Sequence, residues 1–363
     1  MPETVTIDSF GPLTVERPAS VSELCALVQR TRAAGHGLYP LGGRTALAHG
    51  RAPLKPGVAC DLTALADVID YPARDMTVTV RAGVTLAALQ AVLAKEGQWL
   101  PIDVPNPERA TLGGMVAVNA SGPRRYGHGT LRDYVIGISF VTDDAVEVKA
   151  GGRVVKNVAG YDLMKLQIGA LGTLGVITQL TLKVKPKPEA RAAVCFGCGS
   201  ASLRAVLDVL AGSRTRPVAV ETLNPDAARA CSLPATSDWT LYVAFEEKAA
   251  AVRWQVETLL TELKPLTVES ATETPVPLEA LTALQRAGAT KRGVLPSRTA
   301  AELVASKAEL IHAHVLSGVI WEHGAGATNP EPPAGAAWEL MRHVKRTLDP
   351  DNVFNPGRLF GDL

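Results

Sequence analysis

The chain has 363 residues, of which 47% are hydrophobic and 20% charged. That is an ordinary globular balance, long enough for two domains or for one large and one small. Lysine and arginine number 37 against 36 aspartates and glutamates, a net charge of +1, which excludes a surface built to neutralise nucleic-acid phosphates. No apolar run approaches the ~20 residues that span a bilayer. The opening Met1-Pro2-Glu3-Thr4 lacks the basic and apolar regions of a signal peptide, so the expectation is a soluble, cytoplasmic protein. Any contact with the inner membrane would be peripheral and indirect.

The predicted elements follow in chain order. Val21 to Ala34 carries apolar residues at helical spacing, with Ser20 as its N-cap. Leu38-Tyr39-Pro40 is a short strand running into a glycine turn. Thr77 to Ala82 alternates as a strand. Thr85 to Glu96 is a helix capped by Thr85 and ended by Gly97. Val135 to Val141 and Ala145 to Val148 form a hairpin around Asp143-Asp144. A short helical stretch, Asp162 to Ile168, precedes the strand Val176 to Val184.

Glycine is dense up to this point and sparser beyond it. Lys185-Pro186-Lys187-Pro188-Glu189 follows, a stiff polar connector that cannot continue a ladder. The expected division is therefore residues 1–187 as a first domain, 188–345 as a second, and 346–363 as a C-terminal segment returning to the first. Two similar units follow the connector: strand Ala192 to Phe196, helix Ser202 to Ala211, strand Pro217 to Leu223; then strand Thr240 to Phe245, helix Ala249 to Leu263, strand Leu266 to Ser270. Two βαβ units in tandem suggest a ferredoxin-like sandwich. A further short strand is expected near Gly293-Val294-Leu295. The fold class is α+β.

Five cysteines are scattered at 25, 60, 195, 198 and 231. An odd count without dense spacing is no disulfide framework. The lone Cys195-Phe196-Gly197-Cys198 reads as two small core residues, since a zinc or iron–sulfur site needs further ligands.

Three glycine clusters carry the functional signal. Pro40-Leu41-Gly42-Gly43-Arg44-Thr45 follows a strand, and consecutive glycines let backbone N–H groups converge on one anion. A tight surface turn is the equal alternative. Thr111-Leu112-Gly113-Gly114-Met115, continuing to Ser121-Gly122, is crowded with small residues, so a flat ligand can lie against backbone. The polar run Arg124 to Gly129 that follows favours this over a close helix crossing. In Gly169-Ala170-Leu171-Gly172-Thr173-Leu174-Gly175 the glycines precede a strand, the reverse of the dinucleotide fingerprint. No Gly-Lys pair occurs. Classical NAD binding and P-loop hydrolysis are both disfavoured.

The three clusters, in this order and at these separations, resemble the flavoprotein family of vanillyl-alcohol oxidase and p-cresol methylhydroxylase. The resemblance covers roughly residues 15 to 187, with Phe354-Asn355-Pro356-Gly357-Arg358 similar to that family's C-terminal element. More narrowly, Asn157-Val158-Ala159-Gly160-Tyr161-Asp162-Leu163-Met164-Lys165-Leu166, leading into Gly169 to Ile177, resembles the FAD-binding E subunits of bacterial glycolate oxidases. The resemblance implies a p-cresol methylhydroxylase-type FAD-binding domain of two subdomains, followed by a smaller ferredoxin-like cap. It implies that Pro40, Leu41, Gly42, Gly43, Arg44 and Thr45 surround the pyrophosphate. Thr111, Leu112, Gly113 and Gly114, with Ser121 and Gly122, would line pyrophosphate and isoalloxazine. Gly172, Gly175 and Ile177 would pack on the adenosine half, and Asn355 would return to the flavin edge. Some members attach flavin through a histidine in the first glycine loop. Arg44 stands there and His49 lies beyond, so non-covalent FAD is expected.

Oxidation of a hydroxy acid needs a cation for the carboxylate and a base for the hydroxyl proton. No catalytic residue is assigned from the sequence. Arg298 is weighed as a carboxylate clamp against a solvated loop arginine, and the latter is favoured. Related enzymes carry a metal-binding His-x-His, a Gly-Asp-Gly-Asn run and a later Glu-His. His312-Ala313-His314 is present, the Asp and Asn are absent, and Glu322-His323 follows early. A structural role is favoured and no metal is expected. Arg124-Arg125 reads as a substrate or partner contact or a solvated pair; Lys183, Lys185 and Lys187 are expected to face water, and the tryptophans to lie in the core.

The resemblance implies one flavin subunit of a glycolate-oxidising complex, with a longer flavin subunit and an iron–sulfur subunit as partners. A free-standing FAD-dependent 2-hydroxy-acid dehydrogenase or oxidase, and a subunit with purely structural flavin, are the alternatives.

Overall fold

The computed structural model describes residues 2–152, 162–235, 237–274, 278–285, 289–324 and 335–359. The motif residues 157–161 lie outside these.

The first helix, Val21–Ala33, starts where Ser20 Oγ accepts the Glu23 N–H at 3.1 Å, and it buries Leu24, Leu27 and Val28. It covers a four-stranded sheet ordered Thr4–Ile7, Phe10–Glu16, Gly57–Asp61, Gly37–Leu41. A five-stranded sheet follows, ordered Val68–Asp70, Thr77–Arg81, Val176–Lys183, Val135–Val141, Glu147–Gly151. Its core includes Val78 and Val80 from the Thr77–Arg81 strand, Leu89 and Leu93 from the Leu86–Ala94 helix, and Leu180 and Leu182 from the central strand.

The sheet changes at the proline connector. Among the described residues Lys185–Pro186 pairs with Gln98–Trp99 alone, and from Ala190 onward the strands belong to one seven-stranded sheet. Its first four strands are ordered Glu269–Thr274, Ala190–Cys198, Trp239–Glu247, Ala219–Leu223, with helices Leu203–Gly212 and Ala249–Leu263 in the crossovers. That is the ferredoxin-like arrangement. Leu310–His314, Val319–His323 and Thr290–Gly293 extend it on one side. Cys195 and Cys198 are core residues of this sheet, and burial pushes both thiols up to about 11.

Three strand boundaries differ from the sequence pattern. Leu266 and Val268 sit in a turn, their N–H groups bonded to Leu263 and Leu266 carbonyls, while their side chains still plug the core. The strand begins only at Glu269. Val294 likewise leaves its strand, donating to the Gly318 carbonyl. Ala145 takes a left-handed φ of 60° in the hairpin turn, so the returning strand starts at Glu147.

The C-terminal segment joins the first sheet. Leu38 donates to Val353 at 2.7 Å, and Asn355 donates back to Leu38 at 2.9 Å. Buried Lys345 holds this connection by donating to the Thr173 carbonyl at 2.8 Å, the Phe354 carbonyl at 3.1 Å and Asp349 at 2.5 Å. Arg124 ties the two halves together. Its guanidinium donates to Glu246 of the cap sheet at 2.7 and 2.9 Å and also to Asp103. His128, 3.2 Å from Glu246, joins the cluster, and Lys185 reaches His128 at 3.2 Å. Burial raises the Glu246 carboxyl, but His128 and Arg124 outweigh it and set it at about 2. Arg124 is therefore neither solvated nor a ligand contact, and Lys185 does not simply face water.

Candidate flavin cleft and adjoining chamber

The strand Gly37–Leu41 delivers the loop 42–47 to the mouth of a cleft. Pro40, Leu41, Gly42, Gly43, Arg44 and Thr45 all line it, facing Thr111, Gly114 and Asn355. The cleft continues past Gly113, Gly172, Gly175 and Ile177. Close approach explains the glycine pair. A Cβ on Gly42 would collide with the Thr111 side chain, and one on Gly43 with the Arg109 carbonyl.

The chemistry of this wall is that of an anion site. The N–H groups of Gly42, Gly43, Arg44 and Thr45 have no protein acceptor among the described residues. The nearby guanidinium groups are already engaged. Arg44, at a left-handed φ of 59°, donates to Glu3 at 2.9 Å and to Asp61 at 3.3 Å. Arg358 donates to Asp8 and to the Leu47 and Arg51 carbonyls. A diphosphate here would be met by backbone dipoles rather than by free side-chain cations. Asn355 is held by its Nδ2 donating to the Leu171 carbonyl at 2.6 Å.

Three of the expected residues stand outside the cleft wall. Leu112 is fully buried in the core, and Gly122 packs on Asp103 at the chamber's back. Ser121 lines not the cleft but an adjoining chamber of about 1040 Å³, mouth included. This chamber shares Arg44, Thr45, Ala46, His49, Gly114 and Val118 with the cleft. Its far wall comes from the cap: Gln285, Lys291 and Trp321.

None of these cap residues stood out in the sequence. Lys291 lies opposite Trp321 in the strand pair Thr290–Gly293 and Val319–His323, its ammonium 5.4 Å from the indole. It has no carboxylate partner among the described residues. Burial, and secondarily Arg125, lower its pKa. His49, which the sequence placed beyond the loop, comes back into the cleft with its ring edge toward Trp321 at 6.4 Å. The cleft walls, then Lys291 and Arg358, depress its pKa, favouring the neutral imidazole. Asp103 also lines the chamber, its carboxyl raised by burial against the pull of Arg124. Arg298 is away from both cavities, on the surface beside Glu302 at 3.3 Å.

His312 and His314 lie behind the chamber wall and meet a third residue, Glu221. Their donor atoms fall within 4.8 Å of one another, a spacing a metal site can have, and the three are joined by direct hydrogen bonds of 2.5 to 2.9 Å.

Residues 12–151 match the FAD binding domain family, and residues 313–359 match the C-terminal domain of FAD linked oxidases. The fold is that of p-cresol methylhydroxylase with bound substrate, at a TM-score of 0.73 and 16% identity, covering 95% of this chain and 88% of that one. An alkyldihydroxyacetonephosphate synthase superposes at 0.70 over 94% of this chain and 75% of its own. The chain thus carries an FAD binding domain on a fold of the p-cresol methylhydroxylase type; it is an oxidoreductase and its cofactor is FAD.

Among its relatives, glycolate oxidase subunit GlcE of Escherichia coli K12 is 29% identical over 85% of this chain and 88% of its own length. A D-2-hydroxyglutarate dehydrogenase of Xanthomonas citri is 34% identical and a D-lactate dehydrogenase of Anaerostipes hadrus 37%. Each of those two matches 49% of this chain, which spans only 38% and 37% of their lengths. No helix among the described residues is long and apolar enough to cross a membrane.

Proposed function

We propose that this chain is the FAD-binding subunit of a complex that oxidises a short 2-hydroxy acid, glycolate to glyoxylate. The observation that carries the reading is Lys291: an ammonium without a carboxylate partner among the described residues, exposed at the far wall of a chamber that opens onto the flavin cleft. An ammonium that no carboxylate of the chain pairs is open to an anion in the chamber, and a substrate carboxylate supplies one through a charge-assisted hydrogen bond. The loop Gly42–Thr45 would hold the diphosphate of FAD, and Thr111, Gly113, Gly114 and Asn355 the body of the dinucleotide. Bound FAD would accept the hydride from the acid's C2.

The protein's part is to bind and orient. Lys291 fixes the carboxylate, the Trp321 ring closes one side, and small residues near Gly114 and Val118 leave room for the acid to approach the cleft. Relatives named as subunits of glycolate oxidase support a heteromeric assembly. A longer flavin subunit and an iron–sulfur subunit would carry the electrons onward and bring the complex to the inner membrane.

The test is the visible flavin spectrum of the purified chain under anaerobic glycolate, alone and in the complex. Bleaching of this chain's flavin, lost on Lys291→Met with flavin content intact, is the expected result. Flavin that glycolate leaves oxidised even in the assembled complex would refute the reading.

A further inference from the structure

Behind Lys291 the cap wall holds a hydrogen-bonded chain that ends in the chamber. Strand Ala219–Leu223 pairs antiparallel with Leu310–His314, placing Glu221 opposite His314. His314 Nδ1 lies 2.7 and 2.9 Å from the two Glu221 oxygens, and His312 Nε2 lies 2.5 Å from one of them. All three side chains are at most 1% exposed.

The protons in this set can be assigned by elimination. Glu221 is held below the usual carboxylate range: burial raises it, and the two imidazoles more than offset that. An ionised carboxylate only accepts, so each imidazole nitrogen facing it carries a hydrogen. Burial lowers the pKa of His314 and Arg125 and His312 act in the same direction, against the pull of Glu221. In the neutral ring the hydrogen is on Nδ1 and Nε2 is a bare acceptor. The Gln285 side-chain atom 3.0 Å from His314 Nε2 must then be its amide nitrogen. The amide oxygen remains, without a protein donor among the described residues, on a side chain that lines the chamber.

We propose that Gln285 recognises the substrate's hydroxyl group, its amide oxygen accepting the hydroxyl hydrogen, with Glu221 and His314 as positioning residues that fix the amide in that sense. The inference rests on the hydroxy-acid reading above and adds how the site tells such an acid from its close relatives. A deoxy acid offers no hydrogen to the amide oxygen. An oxo acid offers only an acceptor, so the oxidised product meets the amide unfavourably where the substrate met it favourably.

The experiment uses the FAD-loaded chain and a pair of acids that it cannot oxidise to an oxo acid: 2-hydroxyisobutyrate, which has the hydroxyl but no C2 hydrogen, and isobutyrate, which lacks the hydroxyl. Binding is read as perturbation of the flavin absorbance. The wild type is expected to prefer the hydroxy acid by about tenfold, the effect of one hydrogen bond. Gln285→Leu should erase that preference and leave the isobutyrate Kd unchanged. Glu221→Gln touches no ligand. It lets an amide donate to His314 Nδ1, shifts the ring hydrogen to Nε2, turns the Gln285 amide over, and should erase the preference too.

Should Glu221→Gln not fold, Gln285→Leu decides alone. A Gln285→Leu protein that keeps the preference, or that loses affinity for both acids equally, overturns the inference while leaving the hydroxy-acid reading intact. One divalent metal per chain, bound through the Glu221 cluster, would also overturn it, by removing the hydrogen from His314 Nδ1. If neither acid perturbs the flavin and glycolate fails to reduce it, the hydroxy-acid reading falls, and this inference with it.

Discussion

The flavin cleft and the cap wall of the chamber face one another, and they are built in opposite ways. The cleft is made of backbone. Its loop presents four consecutive N–H groups without an acceptor among the described residues, its arginines are engaged by carboxylates and carbonyls, and glycine is required because neighbouring chain comes too close for a Cβ. The cap wall is made of side chains: Lys291, Trp321 and Gln285, backed by Glu221 and His314. On the proposed reading, backbone would hold a cofactor that never varies, and side chains, which change more readily than the loop can, would hold the small acid.

The contrast predicts where damage is severe and where it is selective. The largest effect belongs to the seam between the two halves. Arg124→Met leaves Glu246 buried and short of its main partner, and removing one member of such a pair costs roughly 3–5 kcal/mol. Chemical denaturation followed by tryptophan fluorescence should show a loss of that size. The same seam sets an acid limit. Glu246 sits at about 2 against an ordinary 4.5, so its contribution is complete above pH 4.5 and is lost as pH falls toward 2. Wild type should lose stability across that window, and Glu246→Gln should show a shallower fall there.

Within the cleft, Gly43→Val should yield folded protein lacking FAD, because the new side chain occupies the space of the Arg109 carbonyl. Flavin-to-protein absorbance measures it, and a full complement of flavin would break the view that backbone approach defines the site.

Lys291→Met should do the reverse. Flavin stays, and affinity for short carboxylates falls by roughly tenfold to a hundredfold, the range of a charge-assisted bond. Because the Lys291 pKa lies below that of an ordinary lysine, wild-type affinity for the acid should decline with rising pH earlier than free lysine would dictate. Titration of the flavin spectrum at several pH values tests this; an affinity that does not decline before an ordinary lysine would lose its proton, at about 10.4, would exclude Lys291 as the clamp. The smallest effect is expected at Arg298→Ala, an exposed i,i+4 pair worth no more than about 0.5 kcal/mol, with no change in acid binding.

Much of the cleft was legible in the sequence, because its signal is local. Glycine clusters betray close backbone approach wherever it happens, and Thr111, Gly114 and Asn355 reach the cleft with the loop Pro40–Thr45. Leu112, Ser121 and Gly122 adjoin cleft residues in the chain but stand off the cleft wall, Leu112 in the core and Ser121 in the chamber. The chamber was not legible. Lys291 reads as one of many lysines, Gln285 as a polar residue at a helix end, and Glu221 as a charge inside an apolar strand. Glu221 was the one usable hint, since a lone acid in such a strand demands a buried partner.

By itself the sequence determined elements such as the helices Val21–Ala33 and Leu86–Ala94 and the strand Val176–Lys183 to within a few residues, since periodicity, caps and proline act through neighbours in the chain, while strands such as Phe10–Glu16 and Gly57–Asp61 went unread. It also determined that the first half carries glycine-lined loops suited to an anionic cofactor. Only the tertiary structure decided that Glu221 meets His312 and His314, that Arg124 locks the cap rather than touching a ligand, and that His49 returns to the cleft. These depend on sheet order and register, which bring together groups some 90 to 120 positions apart. Desolvation and pairing act on distance in space, and one chain's order does not record it.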